Sequence, residues 1–371
     1  MIVSARPYPD IKELFSESVF SNADDMSFYP LGRVALLSGL IILGLKKGDG
    51  VIVPAYTCNS TVKPLQAYGF NITFIDIGEN LELLVDKITK IIEKDKAIKA
   101  LLAVHYFGLT QNIDEVVSVC QKYDVKVVED ASHSFMSQLL RDKDSIKGDA
   151  EIFSMRKSIP IVDGGALRMN NGSANVAKNS NNQCVSIISD IKYLILRFLE
   201  KVVTGLGVNI YGQFINNIKT KLRSEMNHET HNLNVDTCKA SWQLRMYFGN
   251  EEYLQDAQQK IINNFNQLNQ ALCKIGFRLF VESVDGNVVP QACVIYDDKG
   301  GLVDYLRSNS IGARRWPDEE IPREVVQNSS QYPNAVFFDK RLVLIPIHQS
   351  ISISHCDYMV RVLHKWNKSN Y

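Results

Sequence analysis

The stretch Lys126-Val-Val-Glu-Asp-Ala-Ser-His133 runs from apolar residues into two carboxylates and then into a small, polar loop. A short apolar run that stops at acids in this way reads as a buried strand whose carboxyl end faces a site. The same pattern repeats towards the N-terminus in Val51-Ile-Val53, Ile72-Thr-Phe-Ile75 and Ala100-Leu-Leu-Ala-Val104. Between these runs, residues 60–68, 81–94 and 113–123 carry apolar side chains at helical spacing. Strand, helix, strand in alternation implies parallel pairing through right-handed crossovers, hence a three-layer α/β fold with a mostly parallel sheet. Ligands of such sheets gather at the carboxyl ends of strands, where Tyr56, Asp76, His105 and Asp130 are expected.

The remainder divides by pattern. Residues 1–240 are expected to form the large domain, with a turn-rich and then helical insert at about 170–230. Within it, residues 185–203 read as one helix and 210–222 as a second amphipathic stretch. The first of these has the apolar content of a membrane-surface helix. Its charges Asp190, Lys192, Arg197, Glu200 and Lys201 are mixed in sign, which favours packing on the parent domain or on a partner subunit. Residues 241–371 are expected to form a smaller α+β domain: a long helix from about 238 to 274, strands at 278–281, 292–296 and 342–345, and helices at 301–309 and 355–366.

With 371 residues, 45% of them hydrophobic, the chain can bury a full core. Forty-one basic and 41 acidic side chains cancel, so no overall field draws it to nucleic acid or to an anionic bilayer. Seven scattered cysteines, none spaced C-x-x-C, argue against a zinc knuckle or a disulfide framework and suggest reduced thiols in a cytoplasmic protein. The first residues lack the apolar core of a signal peptide, and no stretch is apolar for the length of a membrane span.

Twenty-seven residues after Asp130 comes Lys157, in Phe153-Ser-Met-Arg-Lys157, followed by Asp163-Gly-Gly165. An amine able to form a Schiff base, a carboxylate for a pyridinium nitrogen, a serine, and glycines that let backbone approach closely make up the set that holds pyridoxal 5'-phosphate. Lys157 is the candidate amine, its nucleophilicity helped by burial and by Arg156. Asp130 is the candidate acid. Gly32-Arg33 opens an apolar helical pattern, and a helix N-terminus offers N–H groups to a phosphate. His133 could meet the cofactor's phenolic oxygen. Each position has a plainer reading as well: a solvated lysine, a capping aspartate, a satisfied loop histidine.

In order along the chain, several segments resemble the DegT/DnrJ/EryC1/StrS sugar aminotransferase family, of the pyridoxal phosphate fold type I. Gly32-Arg-Val-Ala-Leu36 is similar to the family's phosphate loop, Val53-Pro-Ala-Tyr-Thr57 to its P-x-x-T, Val104-His-Tyr-Phe-Gly108 to its V-H-L-Y-G and Val128-Glu-Asp-Ala-Ser-His133 to its I-E-D-A-A-Q/H. Further on, residues 232–240 resemble its N-Y-R-M-x-x-x-Q-A and residues 341–348 its L-x-L-P-x-H.

The resemblance implies a homodimeric enzyme that moves an amino group from an amino acid, glutamate first, to a keto sugar. That sugar is expected to be nucleotide-linked and destined for surface polysaccharide such as O-antigen, or for secondary metabolites. It implies Lys157 and Asp130 as catalytic residues, with Gly32, Arg33, Tyr56, His133, Ser154 and Asn232 on the cofactor. His105, Arg314, Arg315 and His348 are expected at the substrate. Two departures stand out: the family's lysine usually lies five residues after its serine rather than three, and Ala313-Arg-Arg-Trp-Pro317 replaces its usual pocket segment. The alternatives are a pyridoxal enzyme of this fold with another substrate or reaction, such as a sugar dehydratase, whose family members lack the lysine, or a binding protein without catalysis.

Overall fold

The computed structural model describes residues 1–10, 25–140, 146–170, 187–205, 237–317 and 321–369. Its main sheet has seven strands: β1 (Met26–Tyr29), β2 (Gly50–Pro54), β3 (Asn71–Ile75), β4 (Ile98–Val104), β5 (Lys126–Asp130), β6 (Ala150–Ser154) and β7 (Gly165–Met169). Their order is β1-β7-β6-β5-β4-β2-β3. From β6 to β3 every pairing is parallel, and β7 runs antiparallel to both of its neighbours.

Side-chain alternation along the strands builds the layers. Val51, Val53, Ala100, Leu102 and Val128 join one apolar cluster with Leu36 and Leu37 of α1 (Gly32–Ile42) and Val62 and Leu65 of α2 (Asn59–Tyr68). Their immediate neighbours Ile52, Leu101, Ala103 and Val127 join another, with Ile88 and Ile92 of α3 (Val85–Lys94) and Val116 and Cys120 of α4 (Asp114–Lys122). A period of two turns successive residues to opposite faces, so one strand serves both helix layers. The short α5 (Phe135–Gln138) follows β5.

The expected insert helix is present as α6 (Ile187–Gly205); the stretch 210–222 lies outside the described residues. The helix expected from 238 to 274 is two, α7 (Trp242–Phe248) and α8 (Glu251–Lys274). Gly249 ends the first, and the Asn250 side chain accepts the Tyr253 N–H to start the second. Beyond these come β8 (Ala292–Tyr296), α9 (Leu302–Ser308), α10 (Arg323–Gln327), α11 (Pro333–Arg341), β9 (Leu342–Pro346) and α12 (Ile353–Ser369), with β8 and β9 pairing antiparallel. The strand expected at 278–281 is reduced to a single bridge, Leu279 to Ile295. Two clusters run across residue 240: one packs Phe135, Phe153 and Ile161 with Leu244, Phe265, Ile345 and Leu363, and the other packs Leu36 and Val104 with Val294, Trp316 and Leu344. The thiols depart from the expectation of full reduction. Cys58, Cys120, Cys273, Cys293 and Cys356 are free, and Cys238 is disulfide-bonded.

Candidate active site

A pocket opens at the carboxyl ends of β4, β5 and β6, against the start of α1. It is lined by Gly32, Arg33, Cys58, Val104, Asp130, His133, Ser154 and Lys157, with Trp316 reaching in from the far end of the chain. The sheet order places this pocket beside the point where the chain leaves β3 at one edge and returns at β4, between β2 and β5. Ligands of open α/β sheets collect at such a point.

Register explains which side chains arrive there. Val104 pairs with Asp130 across β4 and β5, and both share the face of Leu102 and Val128, the α1 side. Ile152 and Ser154 follow Ala150 on the same face of β6. Glu129, one residue out of phase, turns to the other face. There its Oε2 lies 2.7 Å from His105 Nε2, and its Oε1 accepts the N–H groups of Lys147 and Gly148 at 2.7 Å each. His105 Nδ1 accepts the Gln111 N–H at 3.1 Å. Both nitrogens of this fully buried histidine are thus engaged behind the sheet. The structure therefore moves His105 from substrate contact to a structural pair, for a reason of parity already present in the strand pattern.

The spacing of Ser154 and Lys157 resolves locally. Residues Met155–Lys157 form one turn of 3-10 helix, closed by the Ser158 N–H on the Met155 carbonyl at 2.9 Å. Such a turn has three residues, so positions i and i+3 project from the same side. A gap of three therefore places the amine beside the serine. Lys157 keeps part of its surface open to the pocket while protein encloses the rest. Burial lowers its affinity for a proton, Asp130 and Cys58 act against that, and Arg314 and Arg156 add to it. The net shift is downward, towards the neutral amine that attacks carbonyl carbon.

Asp130 Oδ1 accepts the Ser132 N–H at 2.9 Å, which fixes the carboxyl's rotation. His133 Nδ1 accepts the Phe107 N–H at 3.4 Å, so the neutral ring carries its proton on Nε2. Burial, with Lys157 and Arg314 nearby, holds this imidazole well below its ordinary pKa and keeps it neutral. Its ring lies parallel to Phe107 (centroids 5.9 Å, 13°) and edge-on to Trp316 (4.8 Å, 80°). At the other wall, α1 begins where a side chain on Gly32 would meet the Phe153 carbonyl at 2.9 Å, and one on Gly165 would meet Leu31 backbone at 2.3 Å. Only glycines let the helix start press this closely against β6 and β7.

This donor set fits pyridoxal phosphate: a weakly basic amine, a fixed carboxylate, an Nε2–H donor, a serine, and a helix N-terminus whose first N–H groups have no partner within the helix. Other expected residues lie elsewhere. Tyr56 is wholly buried in an aromatic cluster with Tyr106, Phe107, Trp316 and Phe338, behind the lining rather than in it. His348 is buried, with Nε2 3.0 Å from the Ser4 carbonyl and Nδ1 accepting the Ser350 N–H, and neither nitrogen is left for a substrate. The two arginines separate. Arg315 is spent on the carbonyls of Asp339 and Lys340 at the end of α11 and on Asp297 at 3.4 Å, whereas Arg314 acts electrostatically on Lys157, His133 and His348. Asp76 receives the Asn334 and Ala335 N–H groups and caps α11. Asn232 lies outside the described residues. Sequence reasoning missed Cys58 and Trp316 as lining residues. The N-cap position of Cys58 at the end of the β2 loop was the available signal for the first, and Trp316 carries none that is local.

Residues 31–185 match the model of the DegT/DnrJ/EryC1/StrS aminotransferase family. A GDP-perosamine synthase of Vibrio cholerae is 30% identical over 142 residues, 38% of each chain. A GDP-4-keto-6-deoxy-D-mannose 3-dehydratase of Yersinia pseudotuberculosis is 38% identical over 96 residues, 25% of this chain and 24% of its own. The matched stretches thus span well under half of these relatives. Over the whole fold, a DegT DnrJ EryC1 StrS aminotransferase from Brucella abortus superposes with a TM-score of 0.64 at 16% identity, covering 92% of this chain and 86% of its own. NtdA of Bacillus subtilis, solved with bound cofactor PMP, does so with 0.64 at 15%, covering 99% and 86%. The pocket residues from Gly32 to Lys157 all fall within the matched stretch, and by that match the segment 31–185 belongs to the DegT/DnrJ/EryC1/StrS aminotransferase family.

Proposed function

We propose that this protein is a pyridoxal phosphate-dependent aminotransferase that passes an amino group from an amino acid donor, glutamate first, to a nucleotide-linked keto sugar. The observation that carries the reading is the meeting of Lys157, Asp130, Ser154 and His133 with the start of α1 in one pocket. Lys157 Nζ is the covalent anchor. With the cofactor bound, Asp130 would hold the ring nitrogen protonated, His133 Nε2–H would donate to the phenolic oxygen, and Ser154 with the α1 N–H groups would hold the phosphate. When bound, the cofactor supplies an electron sink that allows a C–H bond beside an amine to break. Lys157 Nζ then acts as the base that removes the proton from the donor's α-carbon and as the acid that returns one to the sugar carbon.

The sugar class rests on the relatives' names, and a homodimeric cytoplasmic enzyme of surface-polysaccharide supply follows as part of the same proposal. Lys157 in the pocket supports amino transfer over the dehydratase reading, although one relative is a dehydratase. Purified protein given pyridoxal phosphate is expected to gain a visible absorbance band, and borohydride should fix the cofactor on the peptide carrying Lys157. With GDP-4-keto-6-deoxy-mannose and glutamate, ping-pong kinetics are expected. Lys157→Ala should reduce turnover to background while leaving the fold intact by circular dichroism. Full activity in that variant, or no chromophore in the parent protein, would overturn the reading.

A further inference from the structure

Helix α6 is docked on the molecule by its polar face. Asp190, Arg197 and Glu200 are 1%, 4% and 2% exposed. The Arg197 guanidinium donates to Glu200 Oε2 and to the Pro7 carbonyl at 2.6 Å, and it lies 4.9 Å from the centre of the Tyr8 ring. The opposite face carries Ile188, Ile191, Ile195, Phe198, Leu199 and Val202, each between 42% and 66% exposed. A surface helix normally turns these faces the other way. Of the five charges that weighed against a membrane-surface helix in the sequence, Asp190, Arg197 and Glu200 are therefore on the inside and Lys192 and Lys201 on the outside.

The outward stripe has a period. Positions 188, 191, 195, 198 and 202 are separated by three, four, three and four residues, the spacing of a coiled-coil seam. The first position of each heptad, at 188, 195 and 202, is β-branched, as two-stranded coils favour. At about 100° per residue all six side chains fall within an arc of roughly 100°, the width that one opposing helix covers. Their exposed surface is on the order of 600 Å², the upper end of what a typical monomer leaves open. Packing the stripe on its own copy would bury about 1,200 Å², where stable interfaces begin.

We propose that α6 is a self-association surface: the α6 helix of a second copy packs on it seam to seam, about a two-fold axis at Ile195. Ile195 is the middle of the five seam positions, so it meets its own counterpart whether the helices run parallel or antiparallel. A bilayer suits the face less well. An interfacial helix presents a lysine- and arginine-rich face around its apolar one, whereas here Arg197 is turned inward and only Lys192 and Lys201 remain exposed beside the stripe. The proposal stands on the helix alone and does not depend on the enzymatic reading.

The test uses the full chain with Ile195→Cys, oxidised by copper-phenanthroline in air at micromolar concentration. A disulfide-linked dimer is expected on a non-reducing gel. The parent protein, with its exposed Cys273, and a Lys365→Cys control on the exposed side of α12 should stay monomeric on that gel. Ile195→Glu is expected to lower the molar mass by light scattering at unchanged cofactor uptake, which guards against misfolding as the explanation. Absence of the cross-link at 195 overturns the proposal. So does flotation of the parent protein with phosphatidylglycerol vesicles that Ile195→Glu abolishes without any change in mass, since that would assign the face to a membrane.

Discussion

The most consequential single side chain outside the pocket is Asp163, six residues after Lys157. It is wholly buried; Oδ1 accepts the Ser241 hydroxyl at 2.7 Å and Oδ2 has no partner. Burial and the nearby Asp190 push its carboxyl up to about 7 from the ordinary 3.8, with Ser241 acting against them. An acid whose pKa is raised by folding stays protonated in the native state where the unfolded chain has already lost the proton. Stability is therefore full below about pH 4, falls as pH climbs to about 7, and is flat above. The shift corresponds to at most about 4 kcal/mol. Asp163→Asn keeps the acceptor for Ser241 and removes the charge, so urea unfolding at pH 5 and pH 8 should show a smaller loss at pH 8 in the variant than in the parent, the remainder coming from Asp190, whose buried carboxyl is pushed up to about 6. Equal pH slopes in the two proteins would remove Asp163 as the cause. Lys157 and Ser154 show what was legible at this scale: residue types and order pointed to both as neighbours in one pocket, and only the 3-10 turn between them had to be seen.

At the scale of elements, β2 and β4 could be read from the chain because a central strand that serves two apolar layers is apolar on both faces, and β3 and β5 because a short apolar run stands between helical patterns in each. β1, β6 and β7 were not legible. They are 4, 5 and 5 residues long and carry polar or charged positions, among them Ser27, Glu151 and Arg168. The Glu151 carboxylate and the Arg168 guanidinium meet at 2.6 Å inside the sheet, a non-local pairing that leaves no periodicity in the sequence. The same edge fixes the phosphate wall, because β7 starts at Gly165 directly against the turn into α1. Gly165→Ala places a methyl 2.3 Å from the Leu31 carbonyl carbon and 2.8 Å from the Gly32 nitrogen. Backbone cannot yield as a flexible side chain does, so a loss of about 2–3 kcal/mol is expected. Cofactor affinity should weaken by more than that of a comparable surface variant, because the displaced element is the helix start. Chemical denaturation and a fluorimetric cofactor titration measure the two effects. An unchanged cofactor affinity would detach the α1 start from the phosphate site.

For the whole molecule, the decisive contact is Trp316, which lines the pocket from the C-terminal third of the chain. It is 7% exposed and sits in the apolar cluster that also holds Leu36, Val104, Val294 and Leu344. A local reading could not reach it, because its neighbours His133, Tyr56 and Tyr106 stand at least 183 positions away along the chain. The two ends of the chain therefore share the wall of the site, so ligand binding there should stabilise both as one unit. At a hundredfold excess over its dissociation constant, a cofactor that binds only the folded state adds about 2.7 kcal/mol. Pyridoxal phosphate should therefore raise the unfolding midpoint by a few degrees in a single transition, and it should quench the fluorescence of Trp316. Trp316→Phe should lose the quench while keeping most of the thermal shift, since a ring still fills the space. Trp316→Ala should cost about 3–5 kcal/mol through the cavity it leaves. Two separate transitions, only one of them sensitive to the cofactor, would mean that the wall does not couple the halves and that Trp316 is merely adjacent to the site.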